Sequence, residues 1–83
     1  MPYEKQISLD QMRPGQSGLL LGIDGGPGMA RRLSTLGIIP GKKITKISSQ
    51  LMRGPVMIEV DRTRVALGYG MAKRILVQMI NRP

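Results

Sequence analysis

The chain contains no cysteine and no histidine. It therefore has no means of forming a disulfide, a Cys/His zinc site, a cysteine nucleophile or a serine–histidine triad. Phenylalanine and tryptophan are also absent and only Tyr3 and Tyr69 remain, which disfavours binding of proline-rich peptides and stacking on bases. No apolar run approaches the roughly 18 residues of a membrane span, and the N-terminus does not lead into a signal-peptide core. We therefore expect a cytoplasmic protein.

Acidic side chains are scarce. The chain has five side-chain carboxylates and 13 Lys and Arg side chains, and the net charge is +8. The carboxylates belong to Glu4, Asp10, Asp24, Glu59 and Asp61. Glu59 and Asp61 stand two residues apart, but beside Arg62 and Arg64 they indicate an ion-paired hairpin end rather than a general acid and base. We expect no enzyme activity, catalytic residue, cofactor or metal site; a Ser–Lys pair and weak Fe(II) binding at Glu59 and Asp61 stay open.

Glycine and proline are abundant by contrast and divide the chain into short segments. Eleven glycines and six prolines are spread along 83 residues, a length that supports one domain over residues 1–83. Between these breaks, periodicity predicts strands over 16–23, 42–49, 55–60, 64–67 and 74–80, a helix over 29–36 and a helical turn over 70–73. This pattern predicts a mainly β fold, a small SH3-like barrel of about five strands with one short helix and a helical turn.

The first predicted strand combines leucines with glycines. Leu19, Leu21 and Ile23 share one face, and Gly18 and Gly22 on the other face indicate a bend or the close approach of another backbone. In the third predicted strand Val56, Ile58 and Val60 alternate cleanly and should face inward. Further predicted core residues are Val65, Leu67, Ile75, Val77 and Met79.

Two other segments carry a less regular pattern. Met29, Leu33 and Leu36 form one apolar stripe on the predicted helix, which Gly37 should end by taking the left-handed conformation. In the second predicted strand the two isoleucines are three residues apart, which predicts either a bulge or one partly exposed isoleucine.

Five ordered motifs resemble the FeoA family, the small accessory domains of bacterial and archaeal ferrous iron uptake. They are 8–15 (SLDQMRPG), 32–41 (RLSTLGIIPG), 54–60 (GPVMIEV), 65–68 (VALG) and 71–77 (MAKRILV). The resemblance implies an SH3-like barrel and a partner, the FeoB membrane transporter with its cytoplasmic G domain, and it implies no enzyme. Thr35 and Met71 stand where the family often has carboxylates, and a further acidic residue is missing between Gly54 and Pro55. The resemblance therefore gives no support to iron ligation by this chain.

The basic residues indicate a surface for an acidic partner. We predict that partner binding combines Arg31 and Arg32 of the helix with the loop residues Leu51, Met52 and Arg53. The alternative for Leu51 and Met52 is that they fold back and cap the barrel. Other open partners are nucleic acid, an anionic membrane surface reached beside the transporter, and a second copy of the chain paired through a strand edge.

Overall fold

Six strands, two helices and one 3-10 turn make up the part of the fold that the structure describes. The computed structural model describes residues 4–49 and 54–80. The strands are β1 (Glu4–Ser8), β2 (Ser17–Ile23), β3 (Lys43–Ser49), β4 (Val56–Val60), β5 (Thr63–Leu67) and β6 (Ile75–Ile80). The helices are α1 (Gly26–Ser34) and α2 (Tyr69–Ala72), and the 3-10 turn covers Leu9–Gln11. Neither helix has the length or the apolar character needed to cross a bilayer within the part of the chain that the structure describes.

The strands form one antiparallel sheet in the order β1-β6-β2-β3-β4-β5. The mainly β prediction is confirmed, but the expected number of five strands is wrong because β1 was missed. Its sequence, EKQIS, has a single apolar residue and therefore shows no alternation. Pairing with β6 over five residues, from Glu4 opposite Ile80 to Ser8 opposite Leu76, makes it a strand.

The buried face of β2 is the one that carries Gly18 and Leu20. Leu20 is buried and Gly18 faces the same side, whereas Leu21 is exposed. Three consecutive leucines give no indication of which face is apolar, and a bulge between Leu20 and Gly22 shifts the register against β6. The predicted close approach is confirmed at Gly18, where an added Cβ would lie 2.8 Å from the carbonyl oxygen of Gln78.

Helix α1 ends earlier than predicted. Gly37 adopts a φ of +83°, as expected, and its N–H donates to the Ser34 carbonyl at 3.0 Å. The N–H of Ile38 donates to the Leu33 carbonyl at 3.0 Å, which completes a Schellman motif with both of these side chains fully buried. Leu36 therefore leaves the apolar stripe and is 45% exposed, so its assignment to the core was wrong.

The remaining core predictions agree closely with the structure. The buried residues predicted on the later strands are Val56, Ile58, Val60, Leu67, Ile75, Val77 and Met79. Val65 packs against this core while partly buried. In β3, Ile44 is buried, Ile47 is partly exposed, and the register against β4 shifts between Lys46 and Ser48, so both predicted irregularities occur.

Strands β4 and β5 form the predicted hairpin around a two-residue turn. Asp61 and Arg62 have φ values of 49° and 67°. Positive φ at both central positions is the geometry of a type I′ turn, whose twist matches that of the flanking strands. Thr63, expected in the turn, is the first residue of β5.

Candidate partner-binding surface

The two carboxylates considered for chemistry are both engaged by cations. The Arg64 Nε lies 3.8 Å from a carboxylate oxygen of Glu59, its cross-strand neighbour. The Lys42 Nζ lies 2.5 Å from a carboxylate oxygen of Asp61. Within residues 4–49 and 54–80, no three Asp or Glu side chains come together as metal ligands could. The hairpin end is ion-paired as the sequence indicated.

A cationic surface lies at the C-terminal end of α1. Arg31 and Arg32 are exposed, and neither forms an ion pair with any residue that the structure describes. The hydroxyls of Ser34 and Thr35 donate to the carbonyls of Arg31 and Arg32, both at 2.7 Å. These bonds satisfy carbonyls of the last turn, whose partial negative charge also favours nearby cations. The two guanidinium groups are thus carried on a hydrogen-bonded helix end and are exposed.

Two exposed apolar side chains follow these arginines. Leu36 and Ile39 are 45% and 39% exposed. Leu36 comes four residues after Arg32, and Ile39 opens a turn in which its carbonyl accepts the N–H of Lys42 at 3.2 Å. We call Arg31, Arg32, Leu36 and Ile39 the α1 surface. Exposed aliphatic side chains next to arginines have the composition of a protein interface.

The structure describes only part of the predicted binding set. Arg31 and Arg32 occupy one turn of α1, whereas Leu51, Met52 and Arg53 lie outside the described residues. Leu36 and Ile39 were missed, because the spacing of Leu36 from Leu33 matches a helical stripe. In the structure Gly37 ends the helix and the N–H of Ile38 bonds to the Leu33 carbonyl, which leaves the intervening leucine exposed.

One predicted surface charge is buried instead. Lys46 is 2% exposed, and its Nζ donates to the carbonyls of Asp10, at 3.1 Å, and Met12. Burial lowers the pKa of Lys46, and the charge of Asp10 partly opposes this shift. Lys46 therefore joins the 3-10 turn to β3 and does not contribute to a docking surface.

Comparison with known proteins identifies the family of this chain. The FeoA domain model matches residues 7–79. The chain belongs to the FeoA family. The "Putative Fe(2+) transport protein A" of Campylobacter jejuni is 30% identical over 74 residues, which cover 89% of this chain and all of the relative.

Solved structures of the FeoA family have the same fold. A crystal structure of an iron uptake regulatory protein (FeoA) is 34% identical, covers 90% of this chain and 100% of its own, and superposes with a TM-score of 0.83. The FeoA of Stenotrophomonas maltophilia, complexed with zinc and described as a procaryotic SH3 domain protein, is 25% identical with a TM-score of 0.73. That match covers 86% of this chain and 88% of the other. The chain is an SH3-like member of this ferrous iron transport accessory family, as its motifs predicted.

Proposed function

We propose that this chain is a non-enzymatic, cytoplasmic accessory of ferrous iron uptake that binds the cytoplasmic side of a FeoB-type transporter. Membership of the FeoA family supports the role in ferrous iron uptake. The α1 surface supports the mode of action, because Arg31 and Arg32 carry no ion pair among the described residues and are followed in the sequence by exposed Leu36 and Ile39. The ion pairs that occupy Glu59 and Asp61 agree with a binding role rather than a catalytic one.

Charge and apolar burial would contribute differently to this binding. A net charge of +8 raises the rate of encounter with an acidic partner. The lifetime of the complex then depends on burying the apolar side chains of Leu36 and Ile39 and on desolvating the two arginines. Binding through the α1 surface should therefore weaken with salt but persist at moderate ionic strength.

The test is calorimetric titration of the full chain into the cytoplasmic domain of the ferrous transporter from the same organism, at low and moderate salt. Arg31→Glu/Arg32→Glu should weaken binding by about 2 kcal/mol, because two charged contacts become repulsive. Leu36→Ser should weaken it by about 1 kcal/mol through lost apolar burial. A control with the same change of charge is Lys5→Glu/Arg13→Glu, which alters two exposed cations outside the α1 surface.

Three results would contradict the proposal in different ways. If the transporter domain does not bind at either salt concentration, the accessory role by direct binding is wrong. Equal losses for the α1 variants and the charge-matched control would show that net charge alone governs the encounter. Tight, steeply salt-dependent binding to a DNA duplex, a single strand or anionic vesicles, without transporter binding, would assign the basic surface to those partners instead.

A further inference from the structure

A cleft lies between the N-terminal half of α1 and the short helix α2. It is open to solvent, has a volume of about 590 Å³ and is lined by Asp24, Met29, Gly70, Met71, Lys73 and Arg74. The N–H of Asp24 donates to the carbonyl of Arg74 at 2.7 Å, which ties the end of β2 to the start of β6 beneath the cleft. The α1 surface is formed by the other end of the same helix, so the cleft is a separate feature.

Two methionines supply the apolar part of the cleft lining. Met29 and Met71 are partly buried and pack against the core from opposite helices. Gly25 allows this arrangement, because a Cβ at that position would collide with the sulfur of Met29. Unbranched thioether side chains adapt to apolar groups of different shapes. The cleft can therefore accept an aliphatic side chain without an aromatic residue.

The rim of the cleft is cationic on balance. Lys73 and Arg74 are exposed, and neither forms an ion pair with a described residue. The Lys73 Nζ lies 5.7 Å from the centre of the Tyr69 ring, a contact that covers this aromatic face. Asp24 is the one carboxylate in the lining, and it also forms no ion pair with the residues described. Two cations against one anion favour a ligand of negative charge.

We propose that this cleft binds an acidic peptide segment carrying an aliphatic anchor residue. The anchor packs between Met29 and Met71, and carboxylates on either side of it contact Lys73 and Arg74. The assignment of this segment to the transporter rests on the proposed function. The chemistry by which the cleft would recognise the peptide is independent of that function. An apolar wall with a few convergent charges is the usual composition of a site that fixes both the position and the orientation of its ligand.

The first experiment is an NMR titration of the ¹⁵N-labelled full chain with three hexapeptides. An alternating glutamate–leucine peptide is the probe, an alternating lysine–leucine peptide reverses its charge, and an alternating glutamate–serine peptide removes its anchor. Saturable amide shifts at the cleft residues are expected with the glutamate–leucine peptide alone. Shifts of equal size with the glutamate–serine peptide, or no saturable shift at the cleft with any peptide, would overturn the proposal.

Two variants separate a specific site from general attraction to a basic protein. Lys73→Glu/Arg74→Glu should raise the Kd for the glutamate–leucine peptide about tenfold through the loss of two exposed charge contacts. Met71→Gln keeps the length of the side chain while making it polar, and should raise the Kd several-fold. Lys5→Glu/Arg13→Glu lowers the net charge by the same four units at exposed positions outside the cleft and should leave the Kd within twofold. Similar losses for both charge-reversed pairs would refute a site in the cleft.

Titration of the same variants into the transporter domain distinguishes this inference from the proposed function. Weaker transporter binding by Lys73→Glu/Arg74→Glu would place the acidic segment on the transporter. If the transporter binds this variant as it binds the unaltered chain, the transporter does not use the cleft and this inference is wrong for that partner, while the proposed function stands. If the transporter does not bind at all, the proposed function fails, and the peptide titration still decides the chemistry of the cleft.

Discussion

Two glycines of the same strand should respond in opposite ways to an added methyl group. Gly18 and Gly22 both lie in β2 opposite β6, and neither has a left-handed φ. A Cβ at Gly18 would lie 2.8 Å from the carbonyl oxygen of Gln78 and closer still to the Val77 side chain. A Cβ at Gly22 meets no atom within 4 Å. The same Gly→Ala substitution therefore creates a steric clash at Gly18 and meets open space at Gly22.

The expected difference is large for a protein of this size. Gly18→Ala forces β6 away from β2 against a backbone atom that cannot rotate aside, and overpacking of this kind costs about 2 to 3 kcal/mol. Gly22→Ala should be stabilising by about 0.5 kcal/mol, since alanine loses less conformational entropy on folding than glycine does. With an unfolding entropy of roughly 2.1 cal/mol/K per residue over 83 residues, 1 kcal/mol corresponds to about 6 °C. Gly18→Ala should therefore melt about 15 °C below Gly22→Ala.

The assay is thermal unfolding followed by far-ultraviolet circular dichroism, with urea unfolding at 25 °C as a second measure of the free energy. Both variants should be prepared at equal concentration and pH, with the unaltered chain alongside. A melting temperature of Gly18→Ala within about 2 °C of that of the unaltered chain would refute the close contact between β2 and β6 at Gly18. Equal destabilisation of both variants relative to the unaltered chain would instead show that β2 tolerates no side chain on either glycine.

Two further predictions concern Lys46 and the hairpin turn. Because burial lowers the pKa of Lys46 below its ordinary 10.5, the unfolded chain holds this proton more tightly. The Lys46 contribution to the free energy of unfolding therefore increases with pH between the folded-state pKa and 10.5. Urea unfolding at pH 8 and pH 10 should show the unaltered chain gaining stability relative to Lys46→Met, and a constant difference would contradict this. Arg62→Gly should raise the melting temperature by about 3 to 6 °C by relieving the positive φ, whereas Arg62→Ala, which keeps the Cβ, should not.

The hydrophobic alternation in β4 and β6 was sufficient to predict their buried faces. Val56, Ile58 and Val60 are β-branched residues at every second position, with Met57 and Glu59 between them, so the period of two favours one inner face. The left-handed Gly37 was equally predictable, because glycine is the residue that ends a helix in this conformation without a steric cost. These features depend on interactions between neighbours along the chain.

The candidate surfaces depended more on the fold. Arg31 and Arg32 were predicted on the helix, but Leu36 was placed in the core because its spacing from Leu33 matches a helical stripe. Only the Schellman motif, which buries Ile38 against Leu33, shows that Leu36 is exposed. The cleft was not predictable, since it joins Met29 of α1 to Met71 of α2, more than 40 residues later in the sequence.

The sequence by itself determined the class of this protein. The lack of cysteine, histidine, phenylalanine and tryptophan, the spaced glycines and prolines, the alternating strands and the ordered motifs are sufficient for a basic, mainly β barrel of the FeoA family. The tertiary structure alone decided that β1 is a strand, that Leu20 rather than Leu21 faces the core, and that the ammonium group of Lys46 is buried. Each of these outcomes depends on partners distant in the sequence, because a strand, a bulge or a buried charge is stable only when another segment supplies its hydrogen bonds.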